Sequence, residues 1–129
     1  MSREHANAVL ALAQAVPNLT VYDTQAPAKP SLPYAVLRFD SGVRERTAIT
    51  ATSNMVTTTV TCTAVGIDRG QSQGVAERVA DALVDVRPTV AGRSCSPLEH
   101  VDSRPSQMDS EVSPPLFYAV DVFRFVSVT

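Results

Sequence analysis

Lysine is nearly absent from this chain. Lys29 stands alone beside ten arginines, and 13 acidic residues leave a formal charge of −2 and a pI near 5.6. Domains that grip nucleic acid carry a clear basic excess, so this balance excludes a general nucleic-acid footprint while leaving DNA free to pass nearby. Cysteine is scarce too: Cys62 and Cys95 lie far apart in no metal-type spacing and read as two reduced thiols, Cys62 within a strand. No apolar run approaches the ~20 residues of a membrane span. Arg3, Glu4 and His5 precede a stretch too short and alanine-rich for a secretory signal, so a chain made and kept in a cytoplasm-like compartment is expected.

Catalytic signatures are missing as well. The sequence contains no G-x-S-x-G elbow, phosphate-binding loop, dinucleotide fingerprint or H-E-x-x-H. Gly66 and Gly70 flank Ile67-Asp68-Arg69 ahead of a helix; without further glycines or a lysine this is a solvated turn, not an anion site. Neither His5 nor His100 has a second His or Cys at ligand spacing in its own element. The nearest approach to a reactive cluster is Cys95, Glu99 and His100 in SCSPLEH, where Pro97 marks a surface loop. No catalytic residue, metal or cofactor is expected.

What remains is one ordinary domain: 129 residues, 13.8 kDa and 44% hydrophobic residues suffice for a single core. Ala6, Val9, Leu10, Ala13 and Val16 form an apolar stripe behind a capping Ser2, predicting a helix over 3–15 that Pro17 stops. Leu19, Val21 and Tyr22 predict a short strand. Pro27, Pro30 and Pro33 then space out an extended polar arm over 23–33, because proline fixes φ and disfavours helix in the residue before it. A strand over 34–40 alternates Ala35, Leu37 and Phe39 with Tyr34, Val36 and Arg38. Residues 41–53 are polar, open on a Ser41-Gly42 turn, carry the alternating charges Arg44-Glu45-Arg46 and read as a loop.

The strand over 55–66 puts Val56, Thr58, Val60, Cys62 and Ala64 on one face and Thr57, Thr59, Thr61 and Thr63 on the other, one buried and one solvated or paired. Ser72 is read as the cap of a second helix striped by Val75, Val79, Ala82, Leu83 and Val86, with Glu77, Arg78, Asp81 and Asp85 off the stripe; Pro88 ends it. A weak strand near 89–91 and a long irregular region over 92–115 follow. The final strand, 116–128, is apolar on both faces, as for a central or doubly covered strand. Val60, Leu83 and Val120 are expected in the core, and 41–53 and 100–114 are expected to be poorly ordered in a free subunit. The fold class is α+β: a mostly antiparallel sheet with two helices on one face and extended arms and loops.

A short helix, L-T-V-Y-D, a proline-spaced arm, Leu32-Pro33-Tyr34 leading into A-V-L, a threonine-rich strand, a helix with V-A-E-R-V-A-D-A-L and a final aromatic strand resemble the tail-terminator (tail-completion) proteins of long-tailed bacteriophages over about residues 3–128. The resemblance implies a homohexameric ring at the head-proximal end of the virion tail, assembled in the host cytoplasm. It implies the major tail tube protein and a head-neck connector protein as partners, DNA only in transit through the lumen, no membrane and no catalysis. Candidate contacts with the neighbouring subunit or the tube are Pro27, Lys29, Pro30, Pro33, Arg44, Arg46 and Arg104. Three rival readings stand beside it. One is a head-closure or head–tail connector protein of the same neck. The others are a small enzyme using Cys95, Glu99 and His100, and a host-binding module.

Overall fold

The two most regularly alternating segments of the sequence pair with each other and become the spine of the molecule. The computed structural model describes residues 2–46 and 54–129. Among them are the helices α1 (Ser2–Gln14) and α2 (Arg69–Leu83) and eight strands: β1 (Thr20–Asp23), β2 (Tyr34–Phe39), β3 (Val43–Glu45), β4 (Met55–Gly66), β5 (Ser94–Cys95), β6 (Glu99–Ser103), β7 (Gln107–Asp109) and β8 (Leu116–Val128). β4 and β8 run antiparallel from Met55↔Val128 to Gly66↔Phe117. β2 and then β3 line the outer side of β4, and β5, β6 and β7 follow one another along the outer side of β8. β1 closes the far edge, parallel to β2. The architecture is α+β with a mostly antiparallel sheet.

Both helices pack on the even-numbered face of β4. There Val60, Cys62 and Ala64 meet Leu37, Phe123 and Phe125 from the sheet, Val9 and Ala13 from α1, and Val75, Val79 and Leu83 from α2, all essentially solvent-free. A buried polar clasp closes one end of this core. His5 Nε2 lies 2.6 Å from Ser127 Oγ and its ring stacks on Phe125. Arg93 donates from Nε to Ser127 Oγ at 2.9 Å and from Nη2 to the carbonyls of Ser127 and Asn54 at 3.0 Å. Helix α1, the start of β4 and the end of β8 are thus tied by groups that satisfy one another, as burial requires.

Helix α2 starts earlier than the sequence reading has it. Asp68, extended at φ −149°, is the N-cap: its carboxylate accepts from Gln71 N at 2.7 Å, while Gln71 Oε1 accepts from Ile67 N at 2.8 Å. Ser72 instead sits buried one turn in, its hydroxyl against the Arg69 carbonyl and Ser106 Oγ. Gly66 lets this first turn approach the sheet, since a β carbon there would fall 2.8 Å from Ser72 N and 2.9 Å from Gln71 Cβ. The capping role read for Ser2 concerns a side chain outside the described ones.

Other expectations are corrected. The region read as irregular over 92–115 holds β5, β6 and β7, and the loop read over 41–53 holds β3; its remainder, 47–53, lies outside the described residues. No strand forms at 89–91. Val120 is not in the core: it shares the odd–even register of Val122 and Arg124 and stands half-buried on the face away from the helices, while Ala119, Asp121 and Phe123 point to the core. His5, which no stripe included, is buried at 1% exposure.

Candidate assembly surfaces

The helices cover one face of the sheet, leaving the other to the threonine row of β4, flanked by Val120, Val122, Arg124 and Val126 of β8. Part of this open face is roofed by the root of the proline arm. Thr24 turns the chain out of β1 at φ 68°, a strained conformation for a β-branched residue. The turn is held by Thr24 N donating to the Leu37 carbonyl at 2.8 Å and by Arg38 Nε reaching the Thr24 carbonyl at 3.4 Å. Thr24, Gln25 and Ala26 then wall a hollow over Val36, Thr63 and Val65, which explains why Val36 and Val65 are buried on an otherwise uncovered face. Tyr22 and Tyr34 meet edge-to-face beside it at 5.7 Å. The arm is therefore 24–33, anchored over its own sheet for three residues, and exposed at Pro27, Ala28 and Lys29.

A groove of about 470 Å³ lies at the opposite edge of the sheet and on the opposite face. It runs between α2 and β6, with Ala76, Glu77 and Ala80 on one wall, His100 on the other and Ala119 and Asp121 at the base. Three alanines leave the space. Asp121 is 4% exposed and its Oδ1 lies 3.3 Å from His100 Nε2; the imidazole stacks on Phe123 at 5.0 Å. Beyond β6, Arg104 turns back to Asp102 at 3.4 Å, and its backbone N–H donates to the Val120 carbonyl.

The sequence-derived contact residues do not form one patch. Pro27, Lys29, Pro30 and Pro33 belong to the arm at the β1–β2 edge, with Pro30 and Pro33 half-buried. Arg44 and Arg46 stand exposed at β3, beside the opposite end of β4 from the arm, and Arg104 is exposed beyond β6 at the other edge of the sheet. Glu77 and Asp121 were missed because the groove they share is assembled by α2 and β8, distant in sequence; only their charge within apolar-periodic segments was visible.

The reactive cluster of SCSPLEH is dispersed by the register. Cys95 pairs with Ser127 and His100 with Phe123, four positions or roughly 13 Å apart along β8. Glu99, on the other face, is occupied by Arg124. Burial pushes both thiols up, Cys62 to about 12 with the Asp121 charge contributing, so neither offers a thiolate near neutral pH. Among the described residues no group of three or more His, Cys, Asp or Glu could hold a metal ion, and no helix is long and apolar enough to cross a membrane.

The subunit is thus a two-helix, single-sheet α+β domain with an arm at one edge of the sheet and a groove at the other. The family model for tail completion protein gp17 matches residues 3–111, and the chain belongs to that family; it is a structural tail protein of a phage-type virion. Among solved structures, a chain from the virion of a native gene transfer agent particle is similar at a TM-score of 0.62 and 15% identity, covering 94% of this chain and 84% of that one. A second chain is similar at 0.56 and 14% identity, covering 98% and 92%. At such identities these likenesses show the shared fold. No curated protein matches the sequence.

Proposed function

We propose that the protein is a tail terminator: six copies close into a ring on the last ring of the tail tube, stop its polymerisation and present a surface to the neck. The observation that carries this reading is the tail-completion family match over 3–111. The placement of the arm and the groove at opposite sheet edges supports it, because contacts between unlike surfaces generate rings when the rotation closes. The major tail tube protein and the head-neck connector protein are the partners, and DNA crosses the lumen during transit. A mildly acidic chain suits that passage, since its 13 acidic residues outnumber the 11 cationic side chains that could displace counterions from the phosphates. The role is structural, without a catalytic step.

Light scattering tests the stoichiometry. Six 13.8 kDa chains give about 83 kDa, expected either for the free protein or for the protein recovered from tube ends. A chain that stays at 13.8 kDa when mixed with tube rings and never appears on purified tails contradicts the reading.

A further inference from the structure

We propose that Lys29 of one copy docks into the groove between α2 and β6 of the next, its ammonium beside Glu77 and Asp121. This rests on the ring reading above and names the contact that would close it.

The argument starts from unspent charge. Arg38, Arg78, Arg87, Arg93, Arg104 and Arg124 all donate hydrogen bonds within their own chain. Lys29 makes no ion pair among the described residues and stands exposed midway along the arm. In the groove, Glu77 likewise has no partner among the described residues, and the buried Asp121 carboxylate is met only by the imidazole of His100. Arg104 at the rim is already turned to Asp102, so its charge is partly matched. The groove is thus short of a cation, and the arm carries one that is unmatched.

Shape agrees with charge. A volume of about 470 Å³ falls within the range of roughly 300–1,000 Å³ typical of ligand pockets, enough for a long side chain and its flanking backbone. Ala76, Ala80 and Ala119 offer an apolar surface along which a lysine stem lies while its ammonium reaches the carboxylates. The occupant cannot be the chain's own arm as placed. Thr24–Ala26 lie over the open face, the groove opens on the helical face, and four strand spacings, ~19 Å, separate β1 from β6. A contact from one edge of a subunit to the other edge of the next is head-to-tail. The remaining cations of the described residues without a side-chain hydrogen bond, Arg3, Arg44, Arg46 and Arg69, sit at the start of α1, at β3 and at the start of α2, none on the arm at the far edge.

Charge reversal in both partners tests the contact. Lys29→Glu and Glu77→Lys alter exposed positions, so unchanged circular dichroism and melting are expected for each. Sedimentation of the assembling protein, free or on tube ends, should show association weakened about tenfold or more per contact in either single variant. The double variant K29E/E77K should recover most of that loss. A wild type that forms rings while both single variants form them equally well, or a double variant no better than the singles, overturns the inference and leaves the ring reading intact. A wild type that never assembles contradicts the ring reading itself, and this contact with it.

Discussion

Truncating Phe123 to alanine is expected to remove about 3–5 kcal/mol of folding stability. Phe123 is fully buried at the centre of β8, opposite Val60 on one side and His100 on the other, and stacks against the His100 ring. Removing the ring forfeits its transfer from water and leaves a cavity that two paired strands cannot collapse to fill. Stabilities of small domains run at about 5–15 kcal/mol, so the variant should sit close to the folding threshold. Urea titration of wild type and F123A reads the difference, and a loss below about 1 kcal/mol would show that β8 does not present this face to the helices. Because Phe123 also supports the imidazole that meets Asp121, the variant should perturb the groove as well as the core.

Replacing Pro27, Pro30 and Pro33 together by glycine is expected to weaken assembly by an order of magnitude or more per contact while the subunit's melting temperature moves little. The arm is anchored at Thr24–Ala26 and where Tyr34 enters β2; Pro30 and Pro33 are half-buried and Pro27 is exposed. Glycine gives the undocked arm freedom worth about 0.4–1 kcal/mol per site. Docking removes that freedom, so three sites together cost about 1.2–3 kcal/mol, a range that brackets the ~1.4 kcal/mol corresponding to tenfold in association. Sedimentation across a concentration series compares the two proteins. Equal association would return the arm to an ordinary surface loop of an independent subunit.

The elements legible in the sequence are those whose side chains must choose between core and solvent. β4 and β8 fall at 55–66 and 116–128 as the alternation of valine, threonine and phenylalanine demands, and the stripe of Val75, Val79 and Leu83 marks α2. β6 was illegible because all five of its side chains are exposed: a strand that completes a sheet edge without burying a face leaves no apolar period to read. Val120 was misassigned for a related reason. Both faces of β8 are partly apolar, with valines at the even positions and phenylalanines at the odd ones, and alternation alone does not say which face the helices take. His5 fell outside the apolar stripe read for α1, since its burial depends on Ser127 at the other end of the chain. The candidate site divides in the same way. A lone lysine between prolines is conspicuous in the sequence; the carboxylates proposed to receive it become neighbours only when α2 packs against β8.

Tail length in particles lacking this protein tests the termination claim most directly. Tubes made without it should grow past their normal length, with a broad length distribution in electron micrographs and no heads attached. Wild-type protein supplied in trans should restore one length and head joining. Tails of normal, uniform length that merely fail to join heads would contradict termination and assign the protein to the connector side of the neck.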